Sequence, residues 1–200
     1  MIIRRAIRGL PLAAGAWLTP AEAHLVETGF GGFYDGIAHL AITPSDLLVV
    51  LAFALLAGQG GPRTARWVLL SLPLAWLVGA AFGAWRPTEA MPPMLTTLTF
   101  GIVGALVAFR MPLRAEAAGG LALVAGLVHG YANGVTMIPV GGNALLVAGA
   151  VTAVFCMLAL VSAQLTTLRA AWSLVAVRVA GSWLGAAALL MIGWLVRLGG

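Results

Sequence analysis

Residues 32–58 read GFYDGIAHLAITPSDLLVVLAFALLAG, and this stretch decides the fold. Its second half is a run of apolar residues, whereas its first half places Asp35, His39 and Asp46 at the mouth of that run. The whole chain holds only six carboxylates and three histidines, so three of nine acidic and imidazole groups fall in one short window. Ionisable groups in or near hydrocarbon are costly and are retained where they have a partner or a task. Pro44 donates no backbone hydrogen bond and disfavours helix at Thr43, so the chain is expected to bend there. Beyond the bend, Thr43 or Ser45 would cap a new helix, with Asp46 in its first turn.

The rest of the chain has the same character. Of 200 residues, 62% are hydrophobic and 8% charged, with a mean hydropathy of +1.03. A soluble domain carries about a quarter charged residues. The composition is that of an all-α, polytopic membrane protein in one domain, since backbone groups in lipid must pair within their own segment. All eleven basic residues are Arg. In a soluble protein a pI near 11.1 would suggest nucleic acid. Here the arginines sit between apolar segments, so topology accounts for them and no nucleic-acid partner is expected. Cys156 is the single cysteine and can form no disulfide within the chain.

Outward from residue 32 toward the start, MIIRRAIRGLPLAAGAWLTPAEAH has the layout of a signal peptide. Arg4, Arg5 and Arg8 precede an apolar stretch at 9–19, and Ala-Glu-Ala at 21–23 fits a small-x-small cleavage pattern. Cleavage after Ala23 would leave His24 as the new N-terminus, where amine and imidazole together can chelate a metal. In the other direction, apolar runs place spans near 44–59, 65–85, 93–110, 117–138, 143–167 and 171–196, with a re-entrant or interfacial segment at 29–42. The first of these six is short, and the preceding segment is expected to complete its crossing.

Arg63, Arg66, Arg110, Arg114 and Arg169 lie in alternate connections, and Arg178 is near enough to reach the same side. That side is expected to be cytoplasmic, which puts both mature termini outside a bacterial inner membrane. Small residues recur at 79–83 (GAAFG), 101–104 (GIVG), 126–130 (GLVHG) and 181–185 (GSWLG), a spacing that lets helices approach closely in lipid. Trp67, Trp85 and Trp194 fall near span ends, as interfacial anchors do.

Depth can then be counted. Helical rise puts His129 roughly 18 Å into the fourth span, in its outer half, with Asn133 one turn further on the same face. His24, Asp35, His39, Asp46 and His129 all map to the outer half, and imidazoles with carboxylates suit divalent nickel, cobalt or zinc. A solvated Asp35, a helix-start Asp46 and a His129 that merely ties helices together are the plainer readings. Met91, Met94 and Met137, also on the outer side, are the soft donors of a copper reading. No HExxH, serine–histidine pairing or nucleotide-binding loop is present, so no enzyme activity is expected.

GFYDGIAHLAITPSDLL and VHGYANG resemble the two motifs of the HupE/UreJ family of small membrane proteins linked to hydrogenase and urease accessory systems. The resemblance implies nickel or cobalt permeation, with His and Asp side chains taking the ion, and metalloenzyme maturation proteins as partners. The family's pattern carries a His where this chain has Leu47, a second late His where it has Asn133, and a Pro directly after the first His where it has Leu40. The resemblance therefore implies a site with fewer imidazoles: His39, Asp46 and His129, joined by His24, Asp35 and Asn133.

Overall fold

The computed structural model describes residues 27–85, 90–137, 144–168 and 170–199; the expected leader and His24 lie outside them. Seven α-helices and no strand occur among the described residues: α1 (Gly32–Ile42), α2 (Pro44–Gly60), α3 (Pro62–Trp85), α4 (Pro93–Ala108), α5 (Ala115–Met137), α6 (Ala144–Thr167) and α7 (Ala171–Gly199). The six predicted spans fall on α2 to α7, and the segment before them on α1.

Length and hydropathy mark α3, α6 and α7 as able to cross a membrane. The pair α1 and α2 passes the same test as one broken unit bent by 79°, giving up to four such spans. α4 is apolar but has only 16 residues, below the ~20 that a crossing needs. α5 is long enough, but His129, Tyr131, Asn133 and Glu116 dilute its apolar character. The exterior is greasy: Leu74, Leu160, Trp183 and Leu190 are all at least 62% exposed. An outer surface of this kind matches lipid, not water, and this is a membrane protein. Trp67, Trp85 and Trp194 are exposed near helix ends, where interfacial anchors were expected.

The bend comes where Pro44 predicts it. Thr43 is extended (φ −96°, ψ 98°), its N–H returns to His39 O, and Pro44 opens α2 at a position that needs no donor. The side-chain cap expected from Thr43 or Ser45 does not form. Instead the first turn is closed by Asp46 N and Leu47 N, both donating to Thr43 O.

α2 is the centre of the bundle and touches each of the other six helices. Val49, Val50, Ala52, Phe53, Ala54, Leu56 and Ala57 are buried around its whole circumference, as an all-round apolar helix must be. The outer helices pack chiefly in pairs, α3 with α5, α4 with α7 and α1 with α6. Glycine permits the first: a Cβ at Gly126 would lie 2.5 Å from Leu72 O, and one at Gly130 would collide with the Trp76 backbone. Backbone contact of this kind is how helices associate where lipid offers no hydrophobic drive.

At the Arg-rich end, Arg63 pairs with Glu116 at 2.5 Å, on the exposed surface. Arg178, expected to reach for the membrane surface, donates through Nε to Ala108 O at 3.0 Å. Gln59 Nε2 donates to Val107 O at 3.3 Å, so two carbonyls at the end of α4 have side-chain donors from α2 and α7.

Candidate metal-handling site

Asp46 sits in the first turn of α2 yet is only 2% exposed. Its side chain turns inward instead of toward solvent, and two groups from α5 meet it. His129 Nδ1 lies 2.6 Å from Asp46 Oδ1, and Asn133 Nδ2 donates to Asp46 Oδ2 at 2.8 Å. His129 and Asn133 are 0% and 4% exposed. The one-turn spacing that put them on one face of the fourth predicted span is what lets both reach a single carboxylate. Asn133 Nδ2 also lies 2.9 Å from His129 O, which steadies the amide against its own helix.

Two further residues complete the enclosure. Thr99 of α4 places Oγ1 2.8 Å from His129 Nε2. Trp76 of α3, 1% exposed, lays its ring beside the imidazole, centroids 5.3 Å apart and planes inclined by 32°. Close α3–α5 packing at Gly130 brings the indole to that distance. Three helices besides its own thus converge on His129, and both of its ring nitrogens have partners.

His39 stands on the last turn of α1, at the bend. Its Nδ1 is buried without a hydrogen-bond partner, and so are Asn133 Oδ1 and Trp76 Nε1. Buried polar atoms without partners are costly and point to something missing or to a second arrangement. Two of these three, an imidazole nitrogen and an amide oxygen, are acceptor types that suit a cation, and the amide belongs to the residue that holds Asp46.

Asp35 is placed elsewhere. Thr28 donates to Asp35 Oδ1 from both its N–H and its hydroxyl, each at 2.7 Å, closing the turn that leads into α1. Met137 is buried against Leu146 and Ala150. Among the described residues, no three His, Cys, Asp or Glu side chains are arranged to hold a metal ion. The structure therefore brings Asp46, His129 and Asn133 together directly, keeps His39 on α1 at the bend, and pairs Asp35 with Thr28 instead.

Thr99 and Trp76 escaped the sequence reading. Thr96, Thr97 and Thr99 crowd one turn of α4, and each hydroxyl bonds a carbonyl three or four residues back, as threonine commonly does in apolar helices. Nothing local distinguishes the one that also meets an imidazole. Depth was the available signal, since Thr99 lies roughly 9 Å from the start of α4 by helical rise.

No curated protein and no solved structure matches the chain. A family described as HupE / UreJ protein matches residues 12–191, which is most of the sequence and includes every element of the site just described. The chain belongs to the HupE/UreJ family.

Proposed function

We propose that this protein is a membrane permease or accessory protein for a divalent transition-metal ion, nickel or cobalt foremost, taking the ion from the outer face of a bacterial inner membrane. The observation that carries the proposal is a buried carboxylate, Asp46, gripped by His129 and Asn133, with unpartnered acceptors on Asn133 and on His39. Such groups are expensive in an apolar bundle, and transition ions favour imidazole and oxygen donors. Family membership supports the same assignment. His24, if it becomes the mature terminus, adds an imidazole and an amine on the same side. The Arg-rich end faces the cytoplasm in this reading, and maturation proteins of a metalloenzyme are the natural recipients there.

In the second reading the protein is a non-transporting accessory subunit, and the network only ties helices together. The closed bond set around His129 favours it. Copper and zinc remain secondary cargoes under the first reading. Cells carrying wild type, Asp46→Asn and His129→Gln would be compared for nickel and cobalt accumulation, with elemental analysis of the purified chains. Loss of accumulation and of bound metal in both variants supports transport. Unchanged accumulation in variants that still fold removes it and leaves the accessory reading.

A further inference from the structure

An imidazole that binds a metal offers one nitrogen to the ion and donates from the other to a carboxylate or carbonyl, which fixes its tautomer. In His129 the carboxylate partner stands at Nδ1, where Asp46 Oδ1 is 2.6 Å away. Nε2 is then the nitrogen left for an ion, and Thr99 Oγ1 occupies its approach at 2.8 Å. The same Oγ1 lies 2.7 Å from Thr96 O. A threonine hydroxyl has one hydrogen and two lone pairs. If the hydrogen goes to Thr96 O, Oγ1 accepts from an Nε2–H, and the nitrogen carries a proton. If it goes to Nε2, the nitrogen's lone pair is spent on the hydroxyl. Neither arrangement leaves Nε2 free for an ion.

Resting on the metal-handling reading above, we infer that Thr99 is a positioning residue that latches His129 in a closed state and must turn aside before Nε2 can take a cation. Threonine in a helix populates two χ1 rotamers because its hydroxyl can bond either of two carbonyls of the preceding turn. Rotation about χ1 therefore frees Nε2 while the hydroxyl keeps a backbone acceptor. Trp76, packed along the imidazole, holds the ring plane so that the change falls on Thr99 and not on His129. An ion at Nε2 lies across the ring from Asp46, so in this state Asp46 orients the imidazole through Nδ1 and is not itself a ligand.

The test uses the full chain purified in detergent and titrated with Co2+, read by its visible d–d bands and by the metal-induced rise in melting temperature. Thr99→Val removes the hydroxyl at nearly constant volume and leaves Nε2 unpaired in the metal-free protein. It should bind Co2+ about tenfold or more tightly than wild type. Thr99→Ser, which keeps the hydroxyl, should match wild type. Thr99→Ala carries the same expectation as valine and serves if valine fails to fold. Valine or alanine variants that bind like wild type, or more weakly as they would if Thr99 were itself a ligand, overturn the latch. His129→Gln separates this failure from that of the parent reading: if it binds Co2+ as wild type does, or if no chain binds, the metal-handling proposal fails first.

Discussion

Asp46 and His129, 83 positions apart in sequence, meet at 2.6 Å with side chains 3% and 0% exposed. A buried pair of this kind adds little over an apolar pair of the same shape, but removing one member strands the other without water. Asp46→Ala or His129→Ala alone should cost about 3–5 kcal/mol, measured by denaturant unfolding in detergent. The double variant should cost clearly less than the sum, because neither polar group is then left without its partner. Simple additivity would mean that the two groups do not interact.

The exposed pair at the other end should behave oppositely. Arg63 and Glu116 lie on the surface, where ion pairs contribute little and are screened by salt. Glu116→Gln should shift the melting temperature slightly at low ionic strength and not at all in high salt.

Two glycines of the same helix should respond in opposite directions. Gly130→Ala forces a methyl into the Trp76 backbone, which separates α3 from α5 and displaces the indole from His129. A loss of about 1–3 kcal/mol is expected, as for an overpacked core. At Gly120 an added methyl would meet nothing within 4 Å, so Gly120→Ala should gain roughly 0.5–1 kcal/mol from helix propensity alone. Thermal unfolding of the two variants side by side decides it.

Orientation is testable by labelling. In a Cys156→Ser background, Phe30→Cys and Met111→Cys place single thiols at exposed positions, 79% and 51% accessible, near opposite ends of the bundle. A membrane-impermeant maleimide should label position 30 in intact cells once the outer membrane is permeabilised. Position 111 should react only after the inner membrane is opened. The reverse pattern would invert the proposed topology.

Much of this was legible in the sequence because it depends on local pattern. Apolar runs gave helix positions closely, as with 143–167 against Ala144–Thr167. Pro44 gave the bend, and the 129/133 spacing gave a shared face. Other features depend on how helices are rotated against one another. Asp46 turns into the bundle to meet α5, Thr99 finds Nε2 from α4, and Trp76 lies beside the ring where glycine lets α3 and α5 approach. A single strand of text records none of these. Asp35 has a local use that the sequence reading did not weigh, closing a turn with Thr28.

The kink at Thr43 has a mechanical corollary. α1 packs on α6 far more extensively than on α2, and at Gly36 and Gly149 the two backbones all but touch. His39 is thus carried by the outer α1–α6 pair, whereas Asp46 belongs to the central post. Thr43 is the one residue between α1 and α2, so the backbone angle held there fixes how imidazole and carboxylate stand to one another.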